Sequence, residues 1–547
     1  MSIVRLSDRV RRELSYLSYP AREWTVPRHR DGTRVLDVLI VGGGQAGLAT
    51  AFGLRREQIN NFRIVDRNPR GLEGPWRRFA RMKELRTPKE VTGIDLGIPS
   101  LTPRAWYEAK FGREAWQRID RFMPEIWRQY LDWCRDVLDL PVENDIEVTS
   151  IEPAGDVLLA HLRRGGRTER VHARKIVLAT GIEGSGCWRV SKALVADLPP
   201  NRYAHTADEI DFGRLAGKRV GVLGIGASAL DNAAEALEAG ATRVDVCFRR
   251  ADIPRVNPLI WTNFAGMLGH FADLTDLERW RFMRYILEKP PMPPPQDTFW
   301  RCRRFENFAW HANCAWQSIH DNGGIVAVET ESGSFAFDFI IFATGFDTDL
   351  LARPELAQIV HQIALWRDRF TPPPGEESDL VARHPYLGTA FEFTAREPGT
   401  APFLSRLHNF TFGAMPSLGL TGAAIPGLRY GIPRLVNGVM RDLFREDAST
   451  YYQELIAYAE PELHTVESEV GWIDGLAAAA ISGARRLLDE FDKPLHAKTL
   501  QEENASQDVN DKSASILLEP ARMGRAAAHS RPKRRGSKSP KQSGRPK

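Results

Sequence analysis

Two stretches of this chain share one order of residues: an apolar run, a glycine-rich turn and a helix pattern rich in small residues. The first is DVLIVGGGQAGLATAFGL at residues 37–54, and the second is KRVGVLGIGASALDNAAEAL at residues 218–237. Such a turn lets the backbone approach a pyrophosphate at a helix start, which supplies N–H donors and the positive end of the helix dipole. The repeat predicts an α/β fold with two Rossmann-like dinucleotide-binding domains.

The first glycine turn matches the template G-x-G-x-x-G at Gly42, Gly44 and Gly47. The next predicted strand, FRIVD, ends at Asp66, where a carboxylate can accept a hydrogen bond from a ribose hydroxyl. A glycine-rich tight turn without a ligand is the alternative, and the position of the acid argues against it. The residues that we expect to bind the first dinucleotide are Gly42, Gly43, Gly44, Gln45, Ala46, Gly47, Asp66 and Arg67.

The second glycine turn carries the permitted alanine variant, at Gly224, Gly226 and Ala229. The strand after it, VDVCF, is followed by Arg249 and Arg250 instead of an acid. Guanidinium groups at this position can bind a 2′-phosphate, which a carboxylate would repel. The sequence therefore favours NADPH over NADH, with solvent-facing arginines as the alternative. The residues that we expect to bind this dinucleotide are Gly224, Gly226, Ala227, Ser228, Ala229, Arg249 and Arg250.

The tripeptide Ala-Thr-Gly follows two predicted strands, in KIVLATG at residues 175–181 and in FIIFATG at residues 339–345. A small residue, a hydroxyl and a glycine let the chain cross close to a bound cofactor. A plain exit from strand to turn is the alternative for either copy, but the two copies flank the second glycine turn. The residues that we expect to contact a cofactor here are Thr180, Gly181, Thr344 and Gly345.

Length and composition narrow the class of protein. At 547 residues the chain is too long for one compact core. Its five cysteines, none in a C-x-x-C pair, argue against a disulfide framework, a dithiol redox centre or a zinc site, and we expect no metal. No apolar run reaches the length of a membrane span, and the N-terminus is charged where a signal peptide would be apolar. We therefore expect a cytoplasmic protein without a membrane span.

The C-terminus is strongly basic, because residues 521–547 hold ten Lys or Arg residues and no acid. A segment of this composition cannot bury enough apolar surface to fold, so we expect a disordered basic tail at residues 491–547. A solvated terminus is the favoured interpretation of the tail, and a nucleic-acid or membrane arm is the alternative. We expect no nucleic-acid partner.

Three further predictions concern local structure. Residues 1–35 form an N-terminal extension that contains an amphipathic helix with Ser7 as its N-cap. Residues 71–115 are rich in Trp, Arg, Pro and Gly and are expected to be irregular. Residues 426–444 are expected to be mainly helical, with Pro433 as a possible start of the regular helix.

With these two turns about 180 residues apart, both Ala-Thr-Gly copies and no dithiol, the chain resembles the NADPH-dependent class B flavin monooxygenases over residues 34–445. The resemblance implies FAD on the first turn and NADPH on the second. It also implies an FAD-binding domain of residues 36–215 and 340–490, interrupted by an inserted NADPH-binding domain of residues 216–339.

The segment at residues 65–112, with YPAREW upstream, is similar to the bacterial FAD-dependent urate hydroxylases. In the wider family this stretch lies over the isoalloxazine ring and the substrate pocket. The similarity implies that Trp76 and Met82 lie beside the cofactor and that Arg86 and Lys89 are candidate catalytic or substrate-binding residues. A basic, aromatic loop that seals a domain interface is the alternative interpretation.

The family's monooxygenase signature aligns with PPNRYAHTADE and departs from its pattern there. His205 is retained, whereas Pro199, Asn201 and Glu209 replace a Phe, a Gly and an aromatic residue. His205 is a candidate catalytic residue, either as a hydrogen-bonding residue of the linker or as a structural one. The departure argues against a standard Baeyer–Villiger or dimethylaniline-type enzyme.

Taken together, the resemblance implies an FAD-dependent monooxygenase that consumes NADPH, forms a flavin C4a-hydroperoxide and hydroxylates a small polar or anionic substrate, with urate as one candidate. The partners implied are that substrate and molecular oxygen, and a homo-oligomer is compatible with the sequence. Three alternatives remain. They are an N-hydroxylating or Baeyer–Villiger monooxygenase of another small molecule, an FAD/NADPH reductase with an acceptor other than oxygen, and a flavin-based redox sensor that binds nucleic acid through residues 521–547.

Overall fold

The structure, a computed structural model, describes residues 2–19, 22–288, 292–422 and 424–463. Contacts divide the chain into two units, residues 1–455 and residues 456–547. The predicted tail at residues 491–547 lies outside the described residues, as does the part of the predicted FAD-binding domain at residues 464–490.

The strands are numbered in chain order. They are β1 (His29–Arg30), β2 (Thr33–Arg34), β3 (Leu36–Val41), β4 (Phe62–Val65), β5 (Val142–Glu143), β6 (Glu147–Ala154), β7 (Val157–Arg164), β8 (Arg167–Leu178), β9 (Gly186–Trp188), β10 (Tyr203–His205), β11 (Arg219–Leu223), β12 (Arg243–Cys247), β13 (Phe308–His311), β14 (Trp316–Asp321), β15 (Val326–Thr330), β16 (Gly333–Phe337), β17 (Phe339–Phe342), β18 (Phe346–Thr348) and β19 (Leu407–Asn409).

The α-helices are numbered in the same way. They are α1 (Ile3–Tyr16), α2 (Gln45–Arg56), α3 (Pro103–Phe111), α4 (Arg113–Arg118), α5 (Pro124–Val137), α6 (Lys192–Val195), α7 (Ala227–Glu238), α8 (Pro258–Trp261), α9 (Ala265–His270), α10 (Asp276–Glu288), α11 (Gln296–Arg303), α12 (Trp366–Arg369), α13 (Asp379–Ala382), α14 (Met415–Leu418), α15 (Ile425–Glu446) and α16 (Ala448–Ala457). Short 3₁₀ segments occupy Pro99–Leu101, Glu183–Ser185, Pro200–Arg202, Phe212–Leu215, Phe271–Asp273, Leu350–Ala352, Pro354–Leu356, Val360–Gln362, Pro402–Arg406, Phe412–Ala414 and Gly419–Thr421.

The N-terminal sheet surrounds the first glycine turn. Its parallel strands lie in the order β5-β4-β3-β8-β19. The first part of β8 continues beyond the parallel sheet and forms an antiparallel meander with β6 and β7. β3 reads LDVLIV, and its residues from Asp37 to Val41 are all buried. A parallel strand needs this near-continuous apolar character because both of its faces are covered.

The middle sheet surrounds the second glycine turn and repeats the spatial order of the parallel strands in the N-terminal sheet. Its parallel strands lie in the order β13-β12-β11-β17-β10, and an antiparallel meander of β14, β15 and β16 precedes β17. β11, β12 and β13 therefore correspond to β3, β4 and β5, and β17 and β10 correspond to β8 and β19. The prediction of an α/β fold with two Rossmann-like domains is confirmed, and the repeat extends well beyond the two βαβ units visible in the sequence.

Two linkers connect these sheets. The outgoing linker contains β9 and the returning linker contains β18, and they pair antiparallel with Trp188 opposite Phe346 and Gly186 opposite Thr348. β10 precedes the predicted start of the second domain at residue 216, and most of β17 follows its predicted end at residue 339, yet both strands belong to the middle sheet. By sheet membership the inserted region runs from residue 203 to residue 342.

Helix α15 packs across α2, the helix that follows the first glycine turn. A Cβ on Gly53 of α2 would lie 2.9 Å from a methyl group of Ile432 and 2.9 Å from a methyl group of Val436. Both residues of α15 are buried. The two helices therefore approach so closely that only glycine fits at this point of α2 without displacing its neighbours.

Three local predictions differ from the structure. Helix α1 begins at Ile3 with Ser2 as its N-cap, whereas Ser7 lies inside the helix and donates its hydroxyl to the Ile3 oxygen. α15 begins at Ile425 and includes Pro433 in its interior. The region predicted to be irregular contains α3, whose start has a recognisable sequence pattern, a Thr N-cap followed directly by Pro. Within the described residues, the structure has no helix long and apolar enough to cross a membrane.

Candidate functional site

The first glycine turn closes tightly against the neighbouring strand. Gly42 has φ +110° and donates its N–H to the Val65 oxygen at 2.8 Å. A Cβ on Gly42 would lie 2.5 Å from the Ala179 oxygen, so only glycine combines this conformation with this approach. Helix α2 follows, with Gly44 as an N-cap that has no side chain to bond the first N–H groups. The turn therefore presents backbone donors at a helix start, which is the geometry that binds a pyrophosphate.

Asp66 lies beside this turn, directly after β4. Its carboxylate accepts the Gly43 N–H at 2.8 Å and both the backbone and side-chain N–H groups of Asn68, at 2.8 and 2.9 Å. Burial raises the pKa of Asp66, and these donors oppose the shift because they favour the charged form. A carboxylate offers about four acceptor positions, so Asp66 retains capacity for a further donor such as a ribose hydroxyl.

A buried ion-pair network, which was not predicted, holds the loop after β4 against the turn. The Glu73 carboxylate pairs with Arg128 at 2.8 Å and with Arg135 at 3.0 Å, both from α5. The same loop brings Gly74 to within 3.9 Å of a Cβ placed on Gly44. The two arginines are seven residues apart on one helix face, but nothing in the local sequence indicates that their partner lies more than fifty residues upstream.

The second glycine turn repeats the contacts of the first. Gly224 has φ +129° and donates its N–H to the Cys247 oxygen at 2.9 Å. A Cβ on Gly224 would lie 2.4 Å from the Ala343 oxygen, which corresponds to the Ala179 oxygen of the first turn. Gly226 is the N-cap of α7 and, like Gly44, has no side chain that could bond the first N–H groups. Both turns thus have the shape and the donors of a phosphate cradle.

The two arginines that follow β12 are unengaged. Arg249 is exposed and Arg250 is half-buried, and within the described part of the chain neither side chain has a hydrogen bond or an ion pair. Arg243, on the same strand, instead pairs with Asp245 at 2.8 Å. Both guanidinium groups are therefore without a described partner, and their role in binding a phosphate group stays a prediction.

Three buried polar atoms around the first cradle have no hydrogen-bond partner among the described residues. They are the Trp76 indole nitrogen, the Thr180 hydroxyl and the Asn409 amide nitrogen. Buried polar groups are almost always paired, so these atoms are suited to a bound polar ligand. Thr344, in the other Ala-Thr-Gly copy, differs because it donates its hydroxyl to the Arg189 oxygen of the paired linker. Gly181 and Gly345 both have positive φ, at +67° and +87°.

An aromatic cluster surrounds the paired linkers. Trp188 contacts Phe79, His205 and Phe346, with ring centroids 5.4, 5.3 and 5.3 Å apart. Burial lowers the pKa of His205 to about 4, so the ring is neutral above that pH. Its Nδ1 accepts the Ala207 N–H at 3.1 Å. The ring packs beside the linkers, and its buried Nε2 has no hydrogen-bond partner among the described residues.

Arg86 and Lys89, the two candidates in the basic loop, have partners within the protein. Arg86 pairs with the buried carboxylate of Asp231 on α7 at 3.1 Å. Lys89 donates to the oxygens of Trp116, at 3.0 Å, and Ile119, at the end of α4. These contacts match the alternative that the loop seals an interface.

Trp76 and Met82, the two residues predicted beside the cofactor, are both half-buried. The Trp76 ring packs edge-on against Trp127, with centroids 6.4 Å apart. Trp127 in turn donates its indole N–H to the Gln45 side chain at the start of α2, at 3.2 Å. Trp76 is thereby connected through Trp127 to the start of α2, whereas no such contact connects Met82, and the role of both residues beside a cofactor stays a prediction.

Comparison with known proteins agrees with this architecture. A family model described as pyridine nucleotide-disulphide oxidoreductase matches residues 39–266, which include both glycine turns. The ornithine N-hydroxylase of Kutzneria sp. 744, solved with reduced FAD, NADP⁺ and L-ornithine, has 16% identity and a TM-score of 0.58 over 75% of this chain and 99% of that one. The ornithine hydroxylase of Pseudomonas aeruginosa has 15% identity and a TM-score of 0.58 over 75% of this chain and 100% of its own. At these identities the two structures show a shared fold.

A sequence relative identifies both the family and its class, the FAD-dependent flavin monooxygenases. The FAD-dependent urate hydroxylase of Xanthomonas campestris pv. campestris is 42% identical over 464 residues, which cover 84% of this chain and 97% of the relative. The chain belongs to the family of that urate hydroxylase, as the resemblance of its sequence predicted.

Proposed function

We propose that this protein is an FAD- and NADPH-dependent monooxygenase that hydroxylates a small anionic substrate, with urate as the first candidate. The observation that carries the proposal is the pair of matching phosphate cradles in a chain that is 42% identical to a urate hydroxylase over nearly that protein's whole length. The proposed FAD-binding domain comprises the N-terminal sheet and α15, and the proposed NADPH-binding domain comprises the middle sheet.

The first cradle suits FAD. The start of α2 would bind the pyrophosphate, and Asp66 would accept from a ribose hydroxyl. A cavity of about 420 Å³ is lined by Arg67 and Asn68, which directly follow Asp66, together with Asp145, Glu147 and Arg163. Its polar lining and its position directly after Asp66 suit the adenosine end of the cofactor. The unpaired atoms of Trp76, Thr180 and Asn409 would then gain partners.

The second cradle suits NADPH. The start of α7 would bind the pyrophosphate, and the free guanidinium groups of Arg249 and Arg250 would bind the 2′-phosphate with charge-assisted hydrogen bonds. In the first cradle the corresponding strand ends in Asp66, whose carboxylate would repel a phosphate at that position. This difference in charge supports the assignment of the two cofactors to the two cradles.

When bound, FAD supplies hydride acceptance and, once reduced, oxygen activation at its carbon 4a. The chain's own residues then have to position the reactants and shield them from water. The aromatic cluster of Trp188, Phe79, His205 and Phe346 excludes water beside the linkers, where both Ala-Thr-Gly turns lie. Because His205 is neutral above about pH 4, it brings no charge into this apolar region.

The proposal is tested with the purified holoenzyme and a substrate panel. We expect NADPH oxidation and oxygen consumption to accelerate with urate, with one hydroxylated product formed for each NADPH consumed. Ornithine, a cyclic ketone and a quinone test N-hydroxylation, Baeyer–Villiger oxidation and plain reductase activity in parallel. Turnover with the quinone alone, or hydrogen peroxide as the sole product with every oxygen-dependent substrate, would contradict the monooxygenase proposal.

A further inference from the structure

A single stretch of chain touches both cradles. We name residues 74–86 the bridge segment. At its start, Gly74 lies beside Gly44, and Trp76 packs against Trp127, which donates to Gln45 at the first position of α2. The beginning of the bridge segment is therefore held by the residues that form the first cradle.

The end of the bridge segment binds the helix of the second cradle. Lys83 pairs with Glu235 at 2.9 Å and with Glu238 at 3.2 Å, and Arg86 pairs with Asp231 at 3.1 Å. The three acids are spaced four and three residues apart, so they line one face of α7. This face begins within about one turn of the α7 N-terminus that forms the second cradle.

Arg81 adds two further contacts between the bridge segment and the middle sheet. Arg81, between the two ends of the bridge segment, donates one guanidinium nitrogen to the Thr206 oxygen and the other to the Asp208 oxygen, both at 2.5 Å. These carbonyls follow β10, the edge strand of the middle sheet. The bridge segment therefore holds the middle sheet at two separate places.

Helix α11 also binds the acidic face of α7. Arg301 pairs with Glu238 at 2.7 Å and with Glu235 at 2.9 Å, and Thr298 donates to Asp231 at 3.0 Å. Asp231 is almost wholly buried, so loss of Arg86 would leave a buried carboxylate with one hydroxyl donor. A buried charge that loses its partner forces the surrounding groups to move.

We propose that the bridge segment fixes the second cradle relative to the first, and that Arg86 and Lys83 are positioning residues for hydride transfer. The inference rests on the proposed function. In the proposed reaction a hydride, with its two electrons, moves from a dihydronicotinamide, which is oxidised, to an isoalloxazine, which is reduced. The bridge segment would set the distance between these two rings. A displacement of about 1 Å in such a geometry can cost on the order of 100-fold in rate. Neither residue touches the reacting atoms in this assignment.

The test compares the holoenzyme with its R86Q, R86K, D231N and R86Q/D231N variants. Anaerobic rapid mixing with NADPH gives the rate constant of flavin reduction, and calorimetry gives the dissociation constant of NADP⁺. We expect R86Q to reduce its flavin about 10-fold or more slowly with its NADP⁺ affinity changed less than about 2-fold, because the cradle itself is intact. R86K should recover part of the rate. R118Q, which removes the exposed Arg118–Glu114 pair, is the matched control and should behave as wild type.

Amide hydrogen exchange supplies a readout that does not depend on turnover. In R86Q we expect faster exchange both in residues 74–86 and in α7, and the double variant should be no slower in flavin reduction than the worse single variant, since the two side chains act as one pair. Unchanged rates of flavin reduction in R86Q and D231N, with the wild-type flavin reduced normally, would overturn the positioning role of the bridge segment and leave the proposed function standing. Failure of NADPH to reduce the wild-type flavin would instead overturn the proposed function. FAD content and melting temperature identify any variant that has lost its fold.

Discussion

At the start of each cradle, one backbone carbonyl oxygen lies so close that only glycine fits there. Gly42 and Gly224 both have positive φ, and each lies so close to an oxygen of a neighbouring strand that a methyl group does not fit. Spacing in the sequence is enough to identify the two glycines, since the template names their positions. The oxygens that they face, at Ala179 and Ala343, directly follow the ends of β8 and β17, more than one hundred residues away, and only the fold brings them together.

A pair of matched substitutions separates the two cradles. We expect Gly42→Ala to abolish FAD retention and Gly224→Ala to leave FAD bound while NADP⁺ affinity falls by about 10-fold or more, because each added Cβ collides with a fixed backbone oxygen. Flavin absorbance of the purified variants and calorimetric titration with NADP⁺ measure the two effects. Equal loss of FAD in both variants would show that the turns do not serve separate ligands.

Arg249 allows a test of nucleotide choice. Arg249→Ala should raise the KM for NADPH by about 10-fold or more and leave the KM for NADH within about 2-fold, because a charge-assisted contact worth about 1.5–3 kcal/mol is lost only with the phosphate. Arg214, an exposed arginine of the same unit, provides the control in Arg214→Ala. If both coenzymes are affected alike, Arg249 does not recognise the 2′-phosphate.

His408 on β19 gives the protein a pH-dependent stability. Burial lowers the pKa of His408 to about 4 in the folded state, whereas an unfolded histidine titrates at about 6.5. The neutral ring therefore contributes stability that is present above about pH 6.5 and lost as the pH falls toward 4, at up to about 1.4 kcal/mol per pH unit. We expect melting temperatures of H408Q to fall less steeply than wild type across this range. H320Q, at an exposed histidine, should keep the wild-type slope.

The helices and strands show where sequence patterns were sufficient to predict an element and where packing overrode the local pattern. The strands and helices of both βαβ units are present where the sequence predicted them, because buried parallel strands and glycine turns leave clear patterns. α15 runs through Pro433, since its buried face against α2 outweighs the local cost of a proline. The ion pairs of Glu73 and Asp231 could not be predicted, because their partners come from distant segments whose approach depends on the completed fold.

The contact between α2 and α15 is testable at Gly53. Gly53→Ala should lower the free energy of unfolding by about 1–3 kcal/mol, since the new methyl group would press against stiff β-branched side chains at 2.9 Å. Denaturant titration of the holoenzyme measures the change. Adding Val436→Ala to this variant removes one of the colliding methyl groups and should restore part of the loss. A Gly53→Ala protein as stable as wild type would mean that the helices separate without cost.

For the molecule as a whole, the sequence predicted two nucleotide-binding domains and their order, and the structure adds that the two are copies of one architecture. The copies are not visible as a sequence repeat outside the glycine turns, because parallel strands and meanders tolerate any apolar residues of suitable size. The inserted region begins and ends inside the predicted FAD-binding segments, since edge strands of three or four residues carry too little pattern to assign to a sheet.

The basic C-terminus bears on the whole chain and is open to a direct test. Removal of residues 491–547 should leave the rate of NADPH oxidation and its KM within about 2-fold of the full-length values, because a segment of this composition is expected to be a solvated terminus. Steady-state kinetics of the truncated protein provide the measurement. Loss of turnover on truncation would show that the tail takes part in catalysis or assembly.

The pairing of β9 with β18 has a consequence for how this protein could have arisen. The chain departs for the middle sheet and comes back through neighbouring, hydrogen-bonded strands, with Gly186 directly opposite Thr348. A whole nucleotide-binding cassette is thus inserted between two points that already touch, as an extension of a hairpin. Gain or loss of such a cassette at this one hairpin would therefore leave the host sheet continuous.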